Sequence, residues 1–353
     1  MTEHAPRTPP LRATAGTTGL SRFDALPTDR GVERDGPMIH GFRIGADGVE
    51  PLRWPPDLDG RGDGWLWLHL DRTAPEAERF LRDALVLPEQ VVEGLLDTDT
   101  RPRLTRGPGG LLLILRGVNH NPGVAPDQMV ALRLWIASGL VVSLRRSPLL
   151  AVHEMRADYE RGQGPRDIGT FLADLVEHLT DRAADVVTDL MREMDRLEDV
   201  VIGTDERVDV RERLGELRRR VARLSRYLGP QRDALRTLLR APDLFDEAAR
   251  LDLTESVEQT QRSVEELETA RERAAILSDE LRTRADERVA RHSYMLSLAA
   301  GVFLPITFLT GLLGINVGGI PGAENPNAFW LVVALCAGIA AVLFGLFLAR
   351  RWL

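Results

Sequence analysis

Small and hydroxyl-bearing residues recur near the C-terminus at alternating spacings of four and three residues, and these side chains are well suited to contact ions. The members of this row, which we call the small-residue stripe, are Ser293, Ser297, Ala300, Leu304, Thr307, Gly311 and Gly314. The spacing places them on one face of a helix whose remaining positions are bulky and apolar. Such a face either lets two membrane helices pack closely or lines an ion pathway.

The pathway interpretation assigns roles to single residues of this segment. Two membrane spans in one chain cannot enclose a pore, so several copies must contribute the same face. Leu304 then forms a hydrophobic constriction that gates the pore by dewetting. Pro305 lacks an amide hydrogen, so it is expected to disturb the helix beside Thr307 and to leave a carbonyl oxygen exposed there.

The stripe ends in the triad Gly314-Ile315-Asn316, which the glycine- and proline-rich residues 317–322 follow. This turn ends the helix. The side-chain carbonyl of Asn316 is therefore expected at the outer mouth, where a hydrated cation arrives. Glu324 lies in the same loop and would form a ring of carboxylates in an oligomer, which attracts cations. The alternative for Glu324 is an ordinary solvated side chain.

Two uncharged apolar runs must position these residues. They extend from Ser293 to Ile315 and from Ala328 to Ala349, and Glu324 is the single charged residue between positions 293 and 349. At about 1.5 Å per residue each run spans the roughly 30 Å hydrocarbon core of a bilayer. We therefore predict transmembrane helices at 293–315 and 328–349, joined by a loop at 316–327.

The distribution of arginines predicts the orientation of the two spans. Four arginines precede the first span, at positions 282, 284, 288 and 291, and Arg350 and Arg351 follow the second. The loop between the spans has no basic residue. The positive-inside rule then places both termini, including the tail 350–353, in the cytoplasm and the loop in the periplasm of a bacterial inner membrane.

Composition excludes several classes of function. The 353 residues include 45 basic and 53 acidic side chains, and every basic one is arginine. Without lysine the chain cannot form a phosphate-binding loop of the Walker type, and its acidic balance argues against a nucleic-acid partner. The single cysteine, Cys336, lies inside the second apolar run and permits no intrachain disulfide or thiolate cluster. No nucleophile–base or metalloprotease pattern suggests an enzyme.

The seven histidines are scattered and predict no tight metal site. His153-Glu154 and Glu177-His178 are adjacent pairs, and adjacent residues do not share a helix face. His292 precedes the stripe residue Ser293 and is a candidate for handling protons or metal. A transport pathway needs weak sites, so we expect no bound cofactor and only a transported ion.

The rest of the chain is predicted to be a tail, a mixed domain and a helical region. Residues 1–36 have the composition of a disordered tail. Residues 37–165 form an α/β domain with short helices at Ala74–Leu85 and Glu89–Leu96. Its predicted strands are Trp65–Leu70, Leu111–Arg116, Met129–Ile136 and Leu140–Leu144.

Residues 166–292 are predicted to be helical. Apolar residues at helical spacing begin near Asp167, and a second helix runs from about Val208 to Arg240. A third begins near Leu253 and continues as a stalk into the first membrane span. The predicted fold class is an α+β cytosolic domain with a mixed sheet, followed by a long stalk helix and two transmembrane helices.

These segments resemble the CorA family of metal transporters, and within it the ZntB zinc transporter branch. A first span closing on Gly-X-Asn, a second span and a short arginine-tipped tail are typical of the family, although its usual triad is Gly-Met-Asn. The continuation Val-Gly-Gly-Ile-Pro-Gly is similar to the ZntB branch. Further similar segments are residues 64–71, 99–103, 115–123 and 132–136.

The resemblance implies a funnel-shaped homopentamer in the lipid bilayer, with a central pore lined by the first span and Asn316 at its outer entrance. It implies zinc uptake coupled to protons, with other divalent cations also accepted. Ile315 in place of methionine, and Ala290 where many relatives carry a pore asparagine, argue against magnesium. A magnesium or cobalt channel and a membrane-tethered metal sensor remain the alternatives.

Overall fold

The chain folds into two compact units, Met1–Ala275 and Ile276–Leu353, which we call the N-terminal and the C-terminal unit. The computed structural model describes residues 36–58, 64–98, 101–203, 208–241, 244–315 and 325–349. Residues 1–35 of the predicted tail therefore lie outside the described residues.

The N-terminal unit contains a seven-stranded mixed sheet. Its strands are β1 Met38–Gly45, β2 Gly48–Pro51, β3 Trp65–Asp71, β4 Arg103–Gly107, β5 Gly110–Gly117, β6 Val130–Ala137 and β7 Leu140–Arg145. The order across the sheet is β2-β1-β3-β7-β6-β5-β4. The β3–β7 pair is parallel and the other pairs are antiparallel. Gly139 makes the tight β6–β7 turn with a φ of 70°, a conformation that favours glycine.

Helices cover both faces of this sheet. One face packs against α1 Ala77–Arg79, the π-helical turn Phe80–Ala84 that follows it, and α2 Glu89–Leu96. The other packs against α3 Leu150–Glu160, α4 Ile168–Gly203, α5 Val208–Leu239 and the first turns of α6 Glu247–Leu313. Strand β3 lies inside the sheet between β1 and β7, and Trp65 to Leu70 are all buried. Burial on both faces explains why every residue from Trp65 to Leu70 except His69 is apolar.

The four predicted strands and the helix at Glu89–Leu96 are confirmed, whereas three strands were not predicted. The missed β1 and β4 carry arginine and glycine, and β4 is an edge strand in which no residue is buried. Neither shows the apolar run by which a strand is recognised. The helix predicted at Ala74–Leu85 is shorter, since only Ala77 to Ala84 are helical.

The long helices follow the predicted apolar spacing. Asp167 caps α4, because its Oδ1 atom accepts a hydrogen bond of 2.8 Å from the amide of Thr170. Asp246 does the same for α6 through the amide of Ala249, at 2.8 Å. This cap starts α6 at Glu247, so the predicted start near Leu253 was too late. The early turns of α6 lack the apolar periodicity that was used to place it.

The C-terminal unit contains the end of α6 and the helix α7, Ala328–Ala349. Both helices are long and apolar enough to cross a membrane. The α6 helix continues to Leu313 through Pro305, and α7 covers the same residues as the second predicted span. The observed fold is thus a mixed α/β unit, a long helix and two apolar C-terminal helices.

Candidate functional site

All seven members of the small-residue stripe are exposed in the C-terminal unit. Six lie on α6 and Gly314 follows its last residue. Leu304, the only bulky member, exposes 67% of its surface. Within the part of the chain that the structure describes, the whole stripe is therefore uncovered.

A different side of α6 is partly covered within the chain. Half-buried positions recur at Tyr294, Leu298, Val302, Ile306 and Leu309. At about 100° per residue, the centre of this side lies roughly 170° around the helix from the centre of the stripe. The stripe and the half-buried side are thus nearly opposite each other.

The second apolar helix shows the same one-sided burial. Its half-buried positions include Val332, Cys336, Ile339 and Leu343, again at helical spacing. One-sided half-burial on both helices is the pattern of two helices that lie side by side. Sequence periodicity did not find these faces, because both helices are apolar all round and only burial separates their sides.

The backbone around Pro305 remains helical, and the hydroxyl of Thr310 bonds to it. Thr310 Oγ1 donates a hydrogen bond of 3.1 Å to the carbonyl oxygen of Thr307. The amide of Gly314 donates to the carbonyl of Thr310 at 2.9 Å, which closes the last turn. Oxygen atoms of both threonines therefore lie within the last two turns of the helix.

Several predicted site residues lie outside the described residues. Asn316 and Glu324 belong to residues 316–324, and Arg350 and Arg351 to residues 350–353. Of the triad, the structure describes Gly314 and Ile315, which are both exposed. His292 is also exposed and lies on α6 next to Ser293, about 100° around the helix from it.

Two of the seven histidines meet in the N-terminal unit, although 29 positions separate them. The rings of His40 and His69 stack with centroids 4.8 Å apart, because their strands β1 and β3 are paired in this register. His69 is fully buried, and its Nδ1 atom lies 2.7 Å from Ser143 Oγ. Strand pairing, which sequence spacing does not reveal, brings these rings together.

The adjacent pairs noted in the sequence are also brought together, but across helices. His178 Nε2 lies 3.9 Å from Glu154 Oε2, and Arg182 pairs with the same carboxylate. This arginine engages the carboxylate that a metal would need. Among the described residues, no three histidine, cysteine, aspartate or glutamate side chains group so as to hold a metal ion.

His120 lines a cavity of about 230 Å³ together with Asn121, Asp185 and Asp189. Burial, and then the positive charge of Arg182, lower the pKa of His120 from its ordinary value. The ring is therefore held neutral at neutral pH. Sequence reasoning gave this histidine no role.

Comparison with known proteins agrees with this arrangement of a mixed unit and two apolar helices. A family model described as CorA-like Mg2+ transporter protein matches residues 62–351. The divalent cation transporter CmaX of Pseudomonas aeruginosa is 40% identical over 325 residues, covering 89% of this chain and 93% of the relative. The zinc transport protein ZntB of Pectobacterium atrosepticum is 36% identical over 309 residues, covering 86% and 93%.

Two solved structures have the same fold. The full-length CmaX protein superposes with a TM-score of 0.77 at 39% identity, covering 91% of this chain and 100% of that one. The CorA magnesium transporter from Methanocaldococcus jannaschii superposes with a TM-score of 0.74 at 20% identity, covering 88% and 97%. At that identity the second likeness concerns the fold alone.

Proposed function

The chain belongs to the CorA-like Mg2+ transporter family, and on this premise we propose that it is a homopentamer that carries divalent cations into the cell through a central pore. The family and the relatives support divalent cation transport. Zinc is the proposed cargo, coupled to protons, and a bacterial inner membrane with both termini in the cytoplasm is the proposed location.

The observation that carries the pore proposal is the exposure of the small-residue stripe. Its position opposite the half-buried side of α6 leaves it available to other copies of the chain. Around a symmetry axis, five such faces would present hydroxyl groups from Ser293, Ser297 and Thr307 to a hydrated cation. Ala300 and the glycines would keep the lumen wide.

Each remaining pathway residue has a proposed role. Five copies of Leu304 would form a hydrophobic constriction that holds the pore dry when it is closed. At the outer end, Gly314 and Ile315 would support the ring of Asn316 amides that receives the ion. Glu324 would raise the cation concentration outside, and His292 at the cytoplasmic end would handle protons or metal as it leaves.

Zinc is proposed ahead of magnesium for two reasons. A relative at 36% identity is named for zinc transport. The triad of this chain also has Ile315 in place of methionine, and the Val-Gly-Gly-Ile-Pro-Gly turn follows the triad. The family model that matches the chain, however, is described as a Mg2+ transporter protein. A magnesium or cobalt channel is therefore the second candidate.

The test is flux through the purified chain in liposomes. Zinc, magnesium and cobalt uptake would be followed with metal-sensitive dyes, with and without an inward proton gradient. We expect zinc uptake that the gradient accelerates. Uptake of none of the three metals would refute transport and favour a membrane-tethered sensor. Magnesium uptake that exceeds zinc and ignores the gradient would establish the second candidate instead.

A further inference from the structure

The sheet face that carries α1 and α2 has a thinner cover than the opposite face. Short elements lie on it, namely α1, the π-helical turn and α2, whereas four longer helices pack against the other face. Half-buried apolar side chains at its border pack against the core cluster of this face, and they include Leu52, Trp54 and Leu58. The ring of Trp54 contacts that of Phe80 in the π-helical turn, with centroids 4.8 Å apart.

Val86 follows this π-helical turn and combines a strained backbone with an exposed apolar side chain. Its φ of 50° lies in the left-handed region, which a β-branched residue rarely adopts, and 75% of its surface is exposed. A single exposed valine is ordinary, but strained backbone positions cluster where a protein holds a ligand or a moving segment. We call Leu52, Trp54, Leu58 and Val86 the border patch.

The N-terminal tail joins the described fold at this patch. Gly36 is the first residue that the structure describes, and its backbone lies so close to the indole of Trp54 that a Cβ atom added there would be 2.2 Å from Cε2. The amide of Asp71 donates a hydrogen bond of 2.8 Å to the carbonyl of Pro37, which fixes the chain just before β1. Residues 1–35 are therefore tethered at Trp54.

The tail contains one segment suited to cover apolar surface. Leu20, Phe23 and Leu26 lie three positions apart, and Phe23 is the only aromatic residue among positions 1–35. Ten positions separate Leu26 from Gly36, so the segment can reach about 35 Å and on average extends roughly 17 Å from its tether. A tether of this length gives an effective concentration on the order of millimolar. Even a weak apolar contact is then populated without a partner molecule.

We propose that residues 20–26 dock onto the border patch of their own chain, with Phe23 packed against Trp54 and the side chain of Val86 buried beneath the segment. An aromatic pair such as Phe23 and Trp54 gains more than its buried area alone. The tail as a whole has too few apolar residues to form a core, so the folded N-terminal unit supplies the other half of the contact. The docking does not depend on the proposed transport activity.

Trypsin tests this docking, because the tail contains cleavage sites inside and outside the segment. Arg22 lies inside it and Arg12 outside. The full-length protein in detergent would be digested briefly, and the fragments would be quantified by mass spectrometry. Cleavage after Arg22, relative to cleavage after Arg12, is expected to be about 10-fold slower than in a synthetic peptide of residues 1–35, because docking lowers the accessible population.

Variants of the full-length protein assign the protection to the patch and to the segment. Val86→Asn removes the apolar side chain and relieves the strain, since asparagine adopts the left-handed region more readily. It is therefore expected to fold and to lose the protection of Arg22, and Leu26→Ser is expected to lose it as well. Val200→Asn, at an exposed valine of α4, and Val32→Ser, at an apolar tail residue outside the segment, are expected to keep it.

Three results would overturn the proposal. One is a cleavage ratio equal to that of the peptide. Another is protection that Val86→Asn retains, which would place the segment elsewhere. The third comes from co-expressing Val86→Asn chains with Leu26→Ser chains. If the unsubstituted tail regains protection in this mixture, the patch receives the tail of another copy, whereas docking within one chain leaves Arg22 accessible in both.

Discussion

Ser297 and Leu298 are consecutive in the sequence, yet they lie on different sides of α6. Ser297 is exposed on the small-residue stripe, and Leu298 is half-buried on the nearly opposite side. Ser297 therefore marks a surface of α6 that is left for other copies of the chain. Leu298 marks a surface that the chain partly covers itself.

Cysteine crosslinking tests whether the stripe faces other copies. In a Cys336→Ala background, Ser297→Cys is expected to form crosslinked dimers and higher species under a mild oxidant, because five copies around an axis bring the same position together. Leu298→Cys, on the covered side, is expected to form few. Gel electrophoresis without reductant gives the yields, and equal yields for the two positions would contradict the pore assignment.

The proposed constriction predicts a gain of leak. Leu304→Ser makes the narrow part of the pore wettable, so divalent cation flux into liposomes is expected to rise several-fold without a gradient. Phe303→Ser is the control, because Phe303 is as exposed as Leu304 but lies about 100° around the helix from it. If both variants leak alike, the effect reflects a general loss of packing.

The asparagine of the triad is predicted to be essential for transport. Asn316→Ala is expected to abolish metal uptake while the oligomer stays intact on size-exclusion chromatography, because the variant loses the amide ring and no packing. Asn327→Ala changes an asparagine of the same loop outside the triad and should leave uptake near normal. Unchanged uptake in Asn316→Ala would remove this residue from the mechanism.

Ser143 is predicted to stabilise the centre of the sheet. Its hydroxyl oxygen accepts a hydrogen bond of 2.9 Å from Trp67 Nε1 and lies 2.7 Å from His69 Nδ1. Ser143→Ala leaves buried polar groups without this partner, which is expected to cost about 1–3 kcal/mol. Ser138→Ala, at an exposed position of the β6–β7 turn, is the matched control. Thermal unfolding measures both, and equal midpoints would show that the hydroxyl is dispensable.

His120 is predicted to make the N-terminal unit acid-sensitive. Its pKa in the folded chain is lower than the ordinary value of 6.5, so the unfolded chain binds the proton more readily. Stability is therefore complete above about pH 6.5 and is lost as the pH falls through the folded pKa.

His120→Gln is expected to flatten the fall in melting temperature between neutral and mildly acidic pH. The exposed His153→Gln should keep it. The assignment to His120 fails if the slope survives in His120→Gln and disappears in His153→Gln.

Much of the architecture could be predicted from the sequence because it rests on long apolar patterns. Both apolar C-terminal helices, the inner strand β3 and the helix α2 carry such patterns. Strand β4 does not, since Arg103 and Arg106 interrupt a short edge strand that is held by pairing with β5.

The candidate sites were less predictable for a related reason. The stripe is visible as a helical period, but the side of α6 that is half-buried depends on tertiary structure. The stacking of His40 on His69 likewise follows from the β1–β3 register.

The burial of tryptophan in the sheet has a spectroscopic consequence. Trp65, Trp67 and Trp135 are at most 5% exposed, so their emission is expected at short wavelength and should move to the red only when the N-terminal unit opens. Trp330 on α7 is 69% exposed and would respond to the polarity of the surrounding lipid or detergent. The chain thus contains its own optical reporters for the folding of its sheet.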